Sequence, residues 1–334
     1  MKKAFGFYGM FAILALLLGA GDASGQAAAK PVTIRYALPL PIAEYLPLYA
    51  GQEKGYFREE NLAIDVLTLP TGDKLTLALI GGSVEIASYT PDWFIRAVEK
   101  GEAKIKLVMG GSNVPVYSLV VRNEVKNYAD LKGKRIAVST LKASDAYLVR
   151  RMLAANGLRE ADYILIQAGA GGERAAALKA GSVSATLMIP PFDQRLVDEG
   201  YRRLDVTSNV VTQYNWLSHA VREDWARANR PTLVAFMRGW IKATRWVYDS
   251  RNKEEAIRLL SRELKLEDRY ARRVYEMYFE SKTVTVAKDG AMDVVGLQAL
   301  INAMAEQGDL TPPIPRAEKY IDLSYWQEAL RTLQ

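Results

Sequence analysis

Short apolar stretches alternate with amphipathic ones from residue 32 onward. Runs rich in valine, isoleucine and leucine predict buried strands, and the stretches between them have helical spacing. Such an alternation predicts an α/β fold, in which a largely parallel sheet is covered by helices on both faces. The first set of elements comprises strands at 32–38, 63–69, 85–89 and 104–109 and helices at 46–57, 73–80 and 91–100.

The alternation then restarts near residue 117, after a glycine-rich turn and Pro115. A helical tail follows this second set and has no sheet of its own, so it is expected to pack on the first set. The second set comprises strands at 117–122, 135–139, 163–167 and 185–189 and helices at 144–156, 173–180 and 192–199. One more strand follows at 216–221, before tail helices at 231–249, 253–264 and 294–307.

The pattern therefore predicts two lobes and two crossings between them, near 112–116 and 210–216. Two crossings make a hinge with a cleft between the lobes. In open α/β sheets, ligands lie beyond the carboxyl ends of the strands, so both lobes should present strand-end loops to this cleft. The predicted domains are residues 28–114 plus 216–334 for the first lobe and residues 115–215 for the second.

Residues 1–27 have the order of a secretory signal peptide: two lysines, an apolar run near residues 5–18, and then small residues. The apolar run is short for a membrane span, so cleavage after Gly25 or Ala27 is preferred over an uncleaved anchor. The chain has no cysteine, which excludes lipid anchoring at a new N-terminal cysteine. These features predict a periplasmic protein.

Composition narrows the chemistry of the 334-residue chain, which is 49% hydrophobic with a formal net charge of +6. Charges of both signs are interspersed, so nucleic-acid binding is not expected. The absence of cysteine excludes disulfides, thiolate metal sites and cysteine nucleophiles. A single histidine, His219, leaves little room for a metal site or a serine–histidine pair. We expect no metal, no cofactor and no catalytic residue.

Four strand-end loops and one aromatic residue near a crossing carry the candidate ligand contacts. Each has a structural alternative: a rigid turn for the proline-rich loop after the first strand, a helix cap for Thr90 and Ser144, and core packing for Phe192 and Trp216. The predicted contacts are Pro41, Tyr45, Tyr89, Thr90, Ser139, Thr140, Ser144, Pro191, Phe192 and Trp216.

Other residues receive structural interpretations. The glycine-rich run at 168–172 lacks the lysine and hydroxyl residue of a P-loop and is interpreted as a strand-to-helix turn. Glu173, Asp193 and Asp198 are interpreted as charges on solvated helix faces, since nothing in their spacing indicates a catalytic pair. Tyr117 and Tyr214 lie near the crossings and are further candidates for an aromatic wall.

Five motifs in order resemble periplasmic solute-binding proteins of the alkanesulfonate, taurine, nitrate and thiamine-pyrimidine group. They are PLYA with EKGYF and NLAIDV at 47–66, ALIGGSVEIA, DLKGKRIAVS, NGL and ALKAGSVSATLMIPPF. The similarity spans about residues 32 to 250. Where alkanesulfonate binders often have Gly-Ser before the first helix of the second lobe, this chain has Ala143-Ser144, so only Ser144 carries over.

The resemblance implies a type II periplasmic-binding fold, with hinged lobes around a central cleft. It also implies a monomer that binds a small organic solute, such as a sulfonate, nitrate, taurine or an aromatic carboxylate, and delivers it to an ABC transporter permease in the inner membrane. Two alternatives stay open: binding or synthesis of a thiamine-pyrimidine precursor, and a periplasmic ligand sensor. In the enzyme branch, synthesis depends on a histidine, a pyridoxal phosphate lysine and a cysteine-rich motif, and this chain lacks cysteine.

Overall fold

The computed structural model describes residues 30–281 and 286–333. The predicted signal peptide, residues 1–27, lies outside the described residues. None of the helices in the described part combines the length and apolar character needed to cross a membrane. The strands, in chain order, are β1 (Val32–Leu38), β2 (Leu62–Thr68), β3 (Ile86–Tyr89), β4 (Ile105–Ser112), β5 (Ser118–Val121), β6 (Arg135–Val138), β7 (Ile164–Gln167), β8 (Ala185–Met188), β9 (Arg202–Val206) and β10 (Leu217–Arg222).

These strands form two five-stranded sheets with the same topology. The orders are β2-β1-β3-β10-β4 in the first sheet and β7-β6-β8-β5-β9 in the second. The first three strands of each order run parallel, and the fourth is antiparallel to the strands on both sides of it. The two sheets confirm the predicted α/β class and the two-lobe architecture.

The antiparallel strand of each sheet follows a crossing from the other sheet. The chain leaves the first sheet after Ser112 and enters the second at Ser118, and it returns between Val206 and Leu217. Each sheet is thus completed by a strand that the chain reaches directly from the other. The residue limits of the two lobes stay a prediction.

Helices cover both sheets, and the tail contributes a large share of them. Helix α4 begins with a proline in its first turn, and α12 is capped by Asp293, whose carboxylate accepts a hydrogen bond from the Gly296 amide at 2.8 Å. The helices are α1 (Leu46–Glu53), α2 (Tyr56–Glu59), α3 (Gly72–Ile80), α4 (Pro91–Glu99), α5 (Ser144–Ala155), α6 (Gly171–Lys179), α7 (Phe192–Asp198), α8 (Glu223–Ala228), α9 (Arg230–Tyr248), α10 (Lys253–Leu264), α11 (Asp268–Tyr275), α12 (Val294–Glu306) and α13 (Ser324–Arg331).

The tail packs mainly on the first sheet and its helices. Helix α9 lies against α1, α2 and α13, and α13 also contacts β4. Within β4, the Leu107 amide donates a hydrogen bond to the carbonyl oxygen of Tyr320 in the tail at 2.8 Å. Helix α11 also reaches the second lobe, because Tyr270 donates a hydrogen bond to Asp198 at the end of α7 and Arg269 lies 3.5 Å from the same carboxylate.

A core of aromatic rings joins α9 to the first sheet. Trp240, Phe236 and Tyr36 are buried together, and the His219 ring lies 4.4 Å from the Trp240 ring. Burial lowers the pKa of His219 to about 3, so this imidazole is neutral. The single histidine is therefore part of the core.

The structure departs from the predicted elements where local signals are weak. The predicted helix 46–57 divides into α1 and α2 because Gly55 takes a left-handed conformation, with φ of 77°. The sequence pattern did not predict β9, an edge strand whose charged residues, Arg202, Arg203 and Asp205, hide the alternation of a strand. Helices α11 and α13 lie in the predicted helical tail, but their limits were not predicted.

Two glycines, one in α1 and one in α9, allow these helices to approach Phe57 of α2 closely. A Cβ at Gly239 would lie 2.6 Å from the Phe57 ring, and one at Gly51 would lie 2.4 Å from it. The Phe57 ring also stacks on Phe236, with ring centroids 5.5 Å apart. Phe57 thus fills a slot that only glycine leaves open.

We predict that Gly239→Ala lowers the free energy of unfolding by about 1–3 kcal/mol, because overpacking outweighs the better helix propensity of alanine. Urea unfolding would measure it. In a Phe57→Leu background, the same substitution should cost clearly less, since the ring atoms that the new methyl meets are gone. Equal costs in both backgrounds would contradict this account of the packing.

Candidate ligand-binding site between the lobes

Loops from both sheets meet around Tyr117, which precedes β5. Burial raises the pKa of Tyr117 far above its ordinary value, and the charges of Asp145 and Glu44 add to this rise. Asp145 follows β6 of the second sheet, whereas Glu44 follows β1 of the first. The half-buried phenol of Tyr117 therefore lies within electrostatic reach of acids from strand-end loops of both lobes. We call Glu44, Tyr89, Tyr117, Asp145, Arg174 and Tyr278 the interlobe cluster.

Tyr89, at the end of β3, is a second tyrosine whose pKa is influenced by acids of both lobes. Burial raises its pKa, with further increases from Asp92 on its own lobe and Asp145 on the other. Tyr278, in the tail, is likewise shifted upward by burial and then by Glu44, Asp193 and Tyr117. These phenols are neutral at physiological pH and line the place where the lobes meet.

Asp145 organises the loop that follows β6. Its carboxylate accepts hydrogen bonds from the Ser139 amide and the Ser139 hydroxyl, both at 2.7 Å, and from the Ala146 amide at 3.0 Å. The predicted contact Ser139 is therefore engaged with Asp145, while Thr140, the next residue, is exposed. The Asp145 carboxylate, at the start of α5, therefore holds the end of β6 in place.

Arg174 ties this loop to two others. Its guanidinium donates to the Gly169 carbonyl oxygen at 2.9 Å and to the Leu187 carbonyl oxygen at 3.3 Å, and it lies 3.4 Å from Asp145. The side chain is buried, and its Nε has no hydrogen-bond partner. One arginine thus holds the ends of β6, β7 and β8 in a fixed arrangement.

Ser144 is the first residue of α5, and Ala143 occupies the cap position without a side-chain hydrogen bond. The alternative that Ser144 caps the helix is therefore wrong. Burial raises the pKa of Tyr214, and the nearby Ser144 hydroxyl partly offsets this rise. Tyr214 stacks on Tyr147, with ring centroids 5.6 Å apart. Ser144 consequently lies at an aromatic wall formed partly by a crossing segment.

The first lobe places its predicted residues in different surroundings. Tyr45 is buried, and its hydroxyl donates to the Ser88 carbonyl oxygen at 3.0 Å. Tyr89 is half-buried. Thr90 is buried at the start of α4, and its side chain makes no capping hydrogen bond to this helix. Its hydroxyl is therefore not used as a helix cap, and ligand contact stays a prediction. Pro41 is exposed.

The remaining predicted residues lie near the ends of β8 and β10. Pro191 is buried, whereas Phe192 is 40% exposed and has the Arg195 guanidinium 5.7 Å from its ring centre. Trp216 is buried with its ring edge-on to Tyr117 at 5.4 Å. Trp216 therefore adjoins the interlobe cluster, and the ring of Phe192 is at the surface. Direct ligand contact stays a prediction for all ten residues.

The burial of several acidic residues was not predicted from the sequence. Asp193 was interpreted as a solvated helix charge, but it is fully buried, accepts a hydrogen bond from Ser118 and pairs with Arg203, each at 2.6 Å. Asp92 pairs with Arg96 at 2.6 Å. The sequence does contain one signal for a buried acid, namely an acidic residue flanked by apolar residues after a strand, as Glu44 is.

Glu44 differs from these acids because no arginine or lysine of the described residues pairs with it. Burial raises its pKa to about 7, and hydrogen bonds from its own amide and from Tyr278 oppose the rise. One carboxylate oxygen, Oε2, has no hydrogen-bond partner. In the part of the chain that the structure describes, no cluster of acidic residues and histidine could hold a metal ion.

Solved structures share this fold of two sheets covered by helices. The periplasmic nitrate-binding protein NrtA from Synechocystis superposes with a TM-score of 0.76 at 17% identity, covering 91% of this chain and 90% of that one. The alkanesulfonate-binding protein SsuA from Xanthomonas axonopodis pv. citri, bound to MOPS, gives 0.66 at 22%, covering 87% and 99%. Desulfurization enzyme DSZB gives 0.69 at 15%, covering 91% and 100%. The fold is that of the periplasmic binding proteins.

Sequence comparison identifies the family. Residues 42–254 match the family described as NMT1/THI5 like, and this chain belongs to that family. The resemblance noted in the motifs is thereby confirmed. Among curated relatives, the nitrate/nitrite binding protein NrtA of Nostoc is 22% identical over 266 residues, and the bicarbonate-binding protein CmpA of Synechococcus is 22% identical over 261 residues.

The curated relatives are longer than the region of similarity. The match with NrtA of Nostoc covers 72% of this chain and 60% of the relative. The match with CmpA covers 66% of this chain and 55% of the relative. The chain therefore spans a little over half the length of these relatives.

We predict that Asp145→Ala lowers the free energy of unfolding by about 3–5 kcal/mol, because it leaves the Arg174 charge buried without its partner. Denaturant unfolding would measure the change. The exposed acid Glu124 is the control in the same lobe, and Glu124→Ala should cost about 0–1 kcal/mol. With Arg174→Met added, Asp145→Ala should cost less than alone; strict additivity would contradict the coupling.

Proposed function

We propose that this chain is the solute-binding component of an ABC importer. It captures a small organic solute with a polar or anionic head in the periplasm, by closure of its lobes, and delivers it as a monomer to a membrane permease. The lobes are proposed to comprise residues 28–114 with 216–334, and residues 115–215. The family assignment supports this proposal, as do relatives described as binding nitrate or bicarbonate.

One observation carries the proposal: in the interlobe cluster, residues from strand-end loops of both sheets lie within electrostatic reach of one another. A solute bound there contacts both lobes at once. Only contacts that are missing from the open form shift the equilibrium toward closure, so a site shared between the lobes couples binding to shape. The permease can then distinguish loaded from empty protein by the closed surface.

The proposed contacts divide by chemistry. Thr90 and Ser144, with backbone amides at the starts of α4 and α5, would hold the polar head. Tyr89 and Trp216 would enclose the organic part, with Phe192, Pro41, Thr140 and Pro191 nearer the entrance. Tyr45 and Ser139 would shape the site, since their hydroxyls already bond to the Ser88 carbonyl and to Asp145.

An enzyme remains the contrasting candidate, because DSZB shares the fold. The chain offers little for the pyrimidine-forming chemistry of the related branch: it has no cysteine, and its single histidine is buried against Trp240. A pyridoxal aldimine absorbance in the purified protein would favour that alternative. A periplasmic sensor would close on its ligand in the same way and differ only in the partner that reads the closed form.

We predict that one chemical class in a panel of sulfonates, nitrate, taurine, aromatic carboxylates and pyrimidines raises the unfolding temperature. At 100 times its dissociation constant, a ligand adds about 2.7 kcal/mol of stability, which thermal unfolding resolves readily. For the stabilising ligand, Ser144→Ala should weaken binding by about 1–3 kcal/mol in calorimetry. The exposed Ser182→Ala is the control. Unchanged affinity of the Ser144 variant would remove that residue from the site.

A further inference from the structure

The unpaired acid of the interlobe cluster indicates what kind of solute fits. Glu44 is only 3% exposed and lies in the loop after β1, where a ligand of this fold is expected. The Tyr278 hydroxyl opposes the rise in the pKa of this carboxyl group, and Oε2 has no hydrogen-bond partner. A buried carboxyl oxygen without a donor costs free energy, so a donor is missing from this position.

The surrounding charges do not supply that donor. Among the described residues, the buried acids Asp92, Asp145 and Asp193 are matched by Arg96, Arg174 and Arg203. Arg174 is further occupied by two carbonyl oxygens. Each of these arginines is already paired with an acid, although the Nε atoms of Arg174 and Arg203 have no hydrogen-bond partner. Glu44 is the one buried acid of this group without a cation.

The neighbours of Glu44 favour a nitrogen cation over a second anion. Tyr45, Tyr117 and Tyr278 lie within electrostatic reach of the carboxyl group. Aromatic rings attract an ammonium or amidinium group through their negative faces. A simple oxyanion placed beside Glu44 would meet the like charge of a carboxylate.

We propose that Glu44 binds a basic nitrogen of the solute, so that the captured molecule carries an ammonium or amidinium group in addition to its polar or anionic head. This inference rests on the proposed solute-binding function and narrows its substrate class. The solute would lie with its head at Thr90 and Ser144 and its nitrogen at Glu44.

Matched ligand pairs test this assignment by thermal unfolding of the purified protein. Each pair keeps the acid and differs in the nitrogen: taurine and ethanesulfonate, 4-aminobutyrate and butyrate, 4-(aminomethyl)benzoate and 4-methylbenzoate. We expect only nitrogen-bearing members to raise the unfolding temperature. Equal shifts within every pair would overturn the inference and leave the proposed function intact. No shift with any member would count against the proposed function itself.

Substitution of Glu44 then separates ligand binding from a structural role. For the stabilising amine, Glu44→Gln should weaken binding by about 10- to 100-fold, since a charge-assisted hydrogen bond is lost. Without ligand, the variant should unfold at or above the wild-type temperature, because Oε2 has no partner to lose. The exposed acid Glu102→Gln is the control. An unchanged affinity would refute the proposal.

The pH dependence of binding distinguishes a cation from an anion held by protonated Glu44. The Glu44 carboxyl group has a pKa of about 7. The phenols within its electrostatic reach, those of Tyr45, Tyr117 and Tyr278, have raised pKa values and stay neutral over this range. An amine pairs with ionised Glu44, so its affinity should rise from pH 6 to pH 8, each chosen as roughly one unit either side of that pKa. Affinity that falls over the same interval would overturn the assignment.

Discussion

The architecture depends on a constraint of chain topology: each sheet contains, in its fourth position, an antiparallel strand that the chain reaches from the other sheet. β5 and β10 cannot take those positions unless the chain crosses between the lobes twice. The double crossing brings Tyr117 and Tyr214 next to strand-end loops of both lobes. The position of the candidate site is thus a consequence of how the sheets are completed, and residues of the crossing segments adjoin it.

Within that frame, buried charges determine the details. The Asp145 and Arg174 pair fixes three loop ends of the second lobe, while the first lobe contributes Glu44 without any such partner. The two lobes therefore present different chemistry to the same space. The second lobe is preorganised by the hydrogen bonds of Asp145 and Arg174, although the Arg174 Nε has no partner, whereas in the first lobe a carboxylate oxygen of Glu44 has none.

Much of this fold could be predicted from hydrophobic periodicity, because buried parallel strands and amphipathic helices leave strong patterns. β9 could not, since an edge strand exposes charged residues that mask its period. The ends of the predicted strands also indicated the loops that carry the candidate site. The roles of particular residues were less so: Ser139 was predicted as a contact but bonds to Asp145, and Asp193 was interpreted as solvated but is buried. Such roles depend on tertiary partners, among them Tyr278 from the distant tail, which no local pattern encodes.

The contact of the tail with α7 has a consequence for how the protein responds to its surroundings. Arg269 and Tyr270 contact Asp198 without involving any residue of the interlobe cluster, so in the proposed closing motion this contact favours the closed form whether or not a solute is bound. It raises the fraction of molecules already closed, and the apparent dissociation constant scales inversely with that fraction. Because Arg269 and Asp198 are solvent-accessible, dissolved salt screens their attraction. The apparent affinity should therefore depend on ionic strength even for a solute with no net charge.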